Sequence, residues 1–328
     1  MATPVIPIAE PKGRELGPRA SSGAIVTVWL LLTVIWGSTW LFIKIGLADL
    51  PPFTFAALRF VIAPLPLLAW LGVRRVRLPR RLSDWGLICT TGFLSISCSY
   101  GLVFWGERLI PAGLTAILFT TLPLWGLVFA HLLVRGEPLT AGRAAGVALG
   151  LLGVAVIYGG QGGTGERTAP LGIAAILLGA AAAALSNVLV KARGGHLAPA
   201  VLTTGQICVG VVPLIVAGGL LEGNPLSVRW TTAAVVSLLF LALVGSALAF
   251  SLFYWLIHRI EVTKAQLLVF ANTLVAVLLG WLVLDEALGW RSLLGGAVIL
   301  AGLGVSISPL AAGRVRETLA EQRKVPAP

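Results

Sequence analysis

Charge is the scarcest property of this chain: Asp, Glu, Lys and Arg make up 11% of its 328 residues, where a soluble domain carries about 25%. That excludes a soluble fold, because a water-facing shell needs polar side chains that are missing here. Acidic residues are scarcer still, 13 against 24 basic ones, and none falls deep inside an uncharged run. With no DxxD, HExxH or Ser/His/Asp cluster at one depth, the metal-binding or nucleophilic site of an integral membrane enzyme is excluded. Only three cysteines occur, Cys89, Cys98 and Cys208, all within apolar runs and without CxxC spacing, so neither a disulfide framework nor a structural zinc site is expected. The net charge of +11 does not mark a nucleic-acid binder, since the cations punctuate apolar runs instead of gathering on one solvated face.

What remains is apolar. Hydrophobic residues make up 57% of the chain and the mean hydropathy is +0.95. Between charges lie ten uncharged runs, 20–43, 60–73, 85–106, 109–134, 144–165, 168–190, 194–221, 230–258, 265–284 and 292–313, and nine of them reach 20 residues. About 20 apolar residues cross a hydrocarbon core as a helix, with every backbone group bonded internally. The short run 60–73 reaches full length if its helix begins near Phe53 and takes Arg59 inside. The expected fold is an all-α polytopic membrane protein of about ten transmembrane helices. Residues 1–23, rich in Pro and charge, read as a disordered tail with no signal peptide, and 311–328 as a second tail. Of the 24 Lys and Arg, 18 fall on the side of the termini, four on the other side, and Lys44 and Arg59 within spans. By the positive-inside rule both termini are cytoplasmic.

The chain repeats itself. A shift of 149 residues superposes Glu137 on Glu286, Gly146 on Gly295 and Gly153 on Gly302; a shift of 147 pairs Thr39, Lys44, Pro52 and Pro66 with Ser186, Lys191, Pro199 and Pro213. The halves span 24–158 and 170–310, joined by a Gly-rich linker at 159–169. No GK[ST] follows those glycines, so they are no phosphate loop. An odd number of helices per half makes the second half enter from the opposite face. Two inverted five-helix repeats around a central site are an architecture of secondary transporters.

The segment Trp36-Gly37-Ser38-Thr39-Trp40, the turns Gly136-Glu137-Pro138-Leu139 and Asp285-Glu286-Ala287-Leu288, and the Gly-rich helices after them resemble the EamA branch of the drug/metabolite transporter superfamily, over residues 24–310. The resemblance implies a bacterial plasma-membrane carrier, often an exporter of amino acids or related metabolites, with its cavity enclosed by both halves. Relatives handle amino acids, nucleotide derivatives, sugars and drugs, so the substrate does not carry over.

Candidate substrate contacts are the intramembrane cations Lys44 and Arg59, the aromatics Trp36, Trp40, Tyr100, Trp105 and Tyr254, and the polar Ser38, Thr39, Ser186, Asn187, Gln206 and Asn272. Ligand sites combine aromatic walls with a few polar anchors. Lys44 also reads as snorkelling to headgroups, Arg59 as a clamp on helix-end carbonyls, and each polar residue as a helix–helix hydrogen bond. Gln206 stands at the repeat position of Arg59, which makes the cavity electrically lopsided. Glu107, Glu137, Asp285 and Glu286 fall at helix ends; Glu137 and Glu286 read as caps on the helix that follows each. Proton coupling gains little support from carboxylates so placed. Pro64, Pro66, Pro123 and Pro213 mark bending points. The stripes Gly142/Gly146/Gly150 and Gly295/Gly302/Ser306 offer close packing within the bundle or a homodimer. The expected partners are a small-molecule substrate and the bilayer, with no nucleic acid, metal or cofactor. The leading reading is a secondary exporter of small metabolites such as amino acids; the alternative is an exporter of drugs or cationic compounds.

Overall fold

The computed structural model describes residues 22–76, 78–134, 139–161, 169–224, 228–257, 262–286 and 288–307. Residues 1–21, the 311–328 tail, most of the 159–169 linker, and the motif residues Gly136, Glu137, Pro138 and Ala287 lie outside the described residues, while Ser22 and Gly23, read from the sequence as tail, open the first helix. The described chain is helical, with no strand. Its helices are α1 (Ser22–Gly46), α2 (Pro52–Val73), α3 (Leu82–Leu109), α4 (Ala112–Leu133), α5 (Ala141–Gln161), α6 (Ala169–Arg193), α7 (Pro199–Leu221), α8, α9 (Val262–Leu284) and α10 (Trp290–Ile307). Helix α8 runs in three consecutive pieces, Thr232–Leu239, Phe240–Leu248 and Ala249–Ile257. Among the described residues seven helices are long and apolar enough to cross a membrane; α5, α9 and α10 contribute the shorter apolar stretches Ala141–Ile157, Ala271–Leu284 and Trp290–Val305.

Proline sets several boundaries. Pro52 and Pro199 occupy the first turns of α2 and α7, where a missing N–H costs nothing. Inside a span it breaks the ladder: α2 turns at Ala63 before Pro64, and α4 is interrupted at Thr120 and Thr121 before Pro123. The hydroxyls of those two threonines donate to Ile117 O and Leu118 O at 2.6 and 2.7 Å. Helix α7 continues through Pro213.

Both α3 and α8 contain a wider, π-helical stretch, Phe93–Tyr100 and Phe240–Leu248. The first residues of the two stretches stand 147 positions apart, the shift at which the sequence repeats. Such bulges concentrate at functional sites.

The Gly stripes of α5 and α10 pack on each other within the chain. A Cβ on Gly153 would lie 2.5 Å from Gly295 O, one on Gly295 2.5 Å from Gly153 O, and one on Gly302 2.6 Å from Gly146 O. The faces offered above for a homodimer are therefore occupied by one another, and a dimer through α5 or α10 would have to use their other sides.

Two carboxylates close one face of the bundle, the face carrying Lys44. Glu222 accepts from the backbone N–H groups of Phe53 and Thr54 at 2.9 and 2.7 Å. Glu286 accepts from those of Ala112 and Gly113 at 2.8 and 3.1 Å. Glu286 thus caps α4, in the other half of the chain, and not the α10 that follows it. The reason is local: Asp285 adopts a left-handed φ of 52°, which ends α9 in a turn and sends the next side chain back across the bundle. Each carboxylate meets orphan N–H groups at the positive end of a helix dipole. Replacing Glu286 by Ala should cost about 1–2 kcal/mol and lower the melting temperature in detergent by roughly 2–8 °C; an unchanged melting temperature would show the cap to be idle. On the same face the Thr231 hydroxyl donates to Asp49 at 2.5 Å. On the opposite face His196 Nε2 meets Asp84 Oδ1 at 2.9 Å. The 147-residue shift carries Asp49 to His196 and Asp84 to Thr231, so the two contacts are counterparts.

Candidate substrate cavity

A cavity of about 540 Å³ lies between the two halves. Helices α1, α2, α3 and α4 contribute to its wall, as do α6, α7, α8 and α9. Of the sequence-predicted residues, Trp36, Thr39, Trp40, Arg59, Tyr100, Asn187, Gln206 and Asn272 line it. Ser38, Lys44, Trp105 and Ser186 do not. The Tyr254 side chain lies outside the described residues.

Each absence has a cause. Ser38 turns onto its own helix, donating to Val34 O at 2.8 Å and Ile35 O at 3.0 Å. Ser186 donates to Thr91 O at 3.0 Å, bonding α6 to α3. Lys44 neither snorkels to headgroups nor reaches the cavity: its Nζ donates to Glu107 O at 2.7 Å and Ile110 O at 2.8 Å. It closes the C-terminus of α3, where free carbonyls and the helix dipole favour a cation. Trp105 is half-buried on the helix next to that clamp.

Arg59 is the exceptional residue. It is 3% exposed, and its Nε and Nη2 both donate to Ser246 Oγ at 3.2 Å. Ser246 in turn donates to Leu241 O at 2.9 Å, a bond across the π-helical stretch of α8. The guanidinium carbon stands 5.1 Å from the ring centres of Phe60 and Tyr100 and 6.0 Å from that of Phe104, within cation–π reach. Arg59 Nη1 is buried and has no hydrogen-bond partner. Arg59 therefore clamps no helix-end carbonyl. Its repeat counterpart Gln206 donates to Thr91 Oγ1 at 2.8 Å. Asn272 Oδ1 is a second buried polar atom without a partner.

The aromatic wall is built in pairs. Trp36 packs 5.1 Å from Phe253 and 6.3 Å from Phe250, and Trp40 lies 5.4 Å from Phe119. Phe119, Phe250 and Phe253 line the cavity without having been singled out from the sequence, and Ser246 likewise escaped notice as the partner of Arg59. The available signal was the repeat itself: Ser246 is the counterpart of Ser99, one residue before the cavity-lining Tyr100.

No acidic side chain lines the cavity among the described residues. Glu107 sits in the last turn of α3, at the helix end where the sequence reading placed it, one turn beyond the lining residue Val103. It is 0% exposed, and neither of its carboxylate oxygens has a hydrogen-bond partner. No cluster of three metal-ligating side chains occurs among the described residues.

A family model described as the EamA-like transporter family matches residues 23–159 and again 170–308. The chain belongs to the EamA-like transporter family. It is a multi-pass membrane transporter and not an enzyme. This EamA-like transporter is 31% identical over 290 residues to the "Uncharacterized inner membrane transporter YedA" of Escherichia coli (strain K12), covering 85% of this chain and 90% of that one. It is 28% identical over 272 residues to the "Uncharacterized transporter YoaV" of Bacillus subtilis (strain 168), covering 83% and 92%. A "Probable amino-acid metabolite efflux pump" of Escherichia coli (strain K12) is 29% identical over 293 residues, covering 85% and 93%. One crystal structure at 20% identity matches with a TM-score of 0.62 over 90% of this chain and 99% of that one; the likeness concerns the fold alone.

Proposed function

We propose that this EamA-like transporter is a secondary exporter of small zwitterionic or anionic metabolites such as amino acids. It works in a bacterial inner membrane with both termini cytoplasmic, by alternating access of two inverted five-helix repeats. The observation that carries the substrate class is Arg59: a buried cation lining the cavity with one guanidinium nitrogen unpaired, and no carboxylate among the described lining residues. A substrate carboxylate supplies the missing acceptor, a charge-assisted bond of the stronger kind. Asn272 Oδ1 can accept from the ammonium group of a zwitterion, and Trp36, Trp40 and Tyr100 offer ring faces to it. The efflux pump among the relatives supports the same class.

The lining residues Ile43, Val103 and Arg59 lie toward the Lys44 face, whereas Thr203 and Phe253 lie near the opposite ends of their helices. Closure of the Lys44 face by Glu222 and Glu286 supports reading this state as one that faces the cytoplasm. The test is transport in proteoliposomes of labelled neutral amino acids, organic acids and cationic dyes. Saturable flux of the carboxylate compounds is the expected result. Flux of the dyes alone would overturn the substrate class.

A further inference from the structure

We propose that the loop between α2 and α3 binds anionic phospholipid headgroups, in the leaflet on the side away from Lys44. Five arginines fall within eight residues of it, Arg74, Arg75, Arg77, Arg80 and Arg81. By the sequence reading, the other turns on that side carry two cations each, Arg135 and Arg143, Lys191 and Arg193, and Arg259 and Lys264, so orienting the chain does not call for five. The repeat supplies an internal comparison. The 147-residue shift carries the five positions to Leu221, Glu222, Asn224, Ser227 and Val228, so the repeat unit itself demands no cation at any of them.

The loop holds its shape through its backbone, not through its arginines. The N–H groups of Arg74, Arg75 and Val76 donate to Trp70 O, Gly72 O and Leu71 O at 2.9, 3.1 and 3.1 Å, closing α2, with Arg75 at a left-handed φ of 48°. From α3, Trp85 Nε1 donates to Pro79 O at 3.1 Å. Arg74, Arg75, Arg80 and Arg81 are exposed, and none of the four meets a carboxylate among the described residues. The nearest acid in sequence, Asp84, is buried and turned to His196 instead, 2.9 Å away.

Charge alone would suit any phosphate; the neighbouring side chains select a lipid. Val73, Leu78 and Leu82, interleaved with the arginines, are 82%, 59% and 87% exposed. Trp70, one turn before Arg74, is exposed as well, at the interfacial depth where tryptophan is enriched. Exposed apolar side chains set among cations fit a membrane interface, where acyl chains cover the former and phosphates pair with the latter. A guanidinium meets a phosphate through two parallel N–H groups. A cluster of about four or more cations at the end of a span gathers anionic lipid. Since α2 carries Arg59 and α3 carries Tyr100, bound headgroups hold the turn that joins two walls of the cavity.

The experiment uses the full chain in phosphatidylcholine nanodiscs containing a minor fraction of photoactivatable phosphatidylglycerol or, separately, photoactivatable phosphatidylcholine, with the cross-links mapped by peptide. Cross-links to phosphatidylglycerol should concentrate in residues 70–85 and exceed those to phosphatidylcholine there several-fold. They should fall several-fold in about 1 M salt, where the screening length is about 3 Å. Replacing the four exposed arginines together, Arg74→Gln, Arg75→Gln, Arg80→Gln and Arg81→Gln, should abolish the preference. Arg→Lys changes at the same four positions keep charge and sidedness, and should retain a preference that salt removes. Equal labelling by the two lipids, or phosphatidylglycerol labelling spread evenly over all the loops, would overturn the site. So would inorganic phosphate that competes with the lipid beyond a chloride control of equal ionic strength, which would assign the arginines to free phosphate instead.

Discussion

Replacing Arg59 by Gln should reduce kcat/KM for carboxylate substrates by at least about 100-fold, close to 2.8 kcal/mol, while leaving the protein folded. The size follows from what the substitution leaves behind. A substrate carboxylate brought into a cavity that the described residues line without any other formal charge would lose its charge-assisted partner, and a buried charge deprived of its partner costs about 2–5 kcal/mol. Folding should respond in the opposite sense. Arg59 is held by a single neutral hydroxyl and three aromatic rings and brings a desolvated charge into the span, so Gln should leave the melting temperature unchanged or raise it. Arg59→Lys should fall between, because an ammonium keeps the charge but not the fork that reaches Ser246 and the substrate together. Uptake into proteoliposomes and thermal unfolding of the same preparations measure both sides. Retained acid transport in Arg59→Gln would end its assigned role.

A second large effect is structural. Gly153→Leu or Gly295→Leu should prevent α5 and α10 from assembling, because the new Cβ would sit 2.5 Å from a carbonyl oxygen of the facing backbone. Overpacking against movable side chains costs about 1–3 kcal/mol. Here backbone faces backbone, so the helices must part along the whole contact. Gly304, on the same α10, has nothing within 4 Å of a built Cβ, and Gly304→Leu serves as the matched control. Size-exclusion profiles should show an aggregated Gly153 variant beside a monodisperse Gly304 variant. Equal behaviour of the two would mean that the α5–α10 contact does not hold the fold.

The apolar runs are a property of composition and spacing, so the helical fold was legible in the sequence. The helical runs stand where those runs placed them, and the family model matches both halves. Aromatic and amide wall residues were partly legible for the same reason: Trp36, Trp40, Gln206 and Asn272 share a depth that counting along helices reveals. Rotation about a helix axis does not follow from depth, which is why Ser38 and Thr39, adjacent in sequence, part ways, the second lining the cavity and the first bonding its own backbone. Long-range contacts were the least legible. Lys44 finds carbonyls 63 and 66 positions away, Glu286 reaches N–H groups 174 and 173 positions back, and Arg59 meets a serine 187 positions on. Nothing local to those residues specifies such partners. Glu107 illustrates the converse: its place at a helix end was legible, but its complete burial, which depends on the elements packed around it, was not.

The paired π-helical stretches of α3 and α8 also give the two halves one shared backbone irregularity. A π-turn holds more residues than an α-turn, so each stretch amounts to an inserted residue that the helix absorbed without losing its path. Both begin with phenylalanine, at Phe93 and Phe240, separated by the shift that aligns the halves. The same widened turn therefore borders the cavity from two sides, through Ser95, Ile96 and Tyr100 in one half and Gly245 in the other.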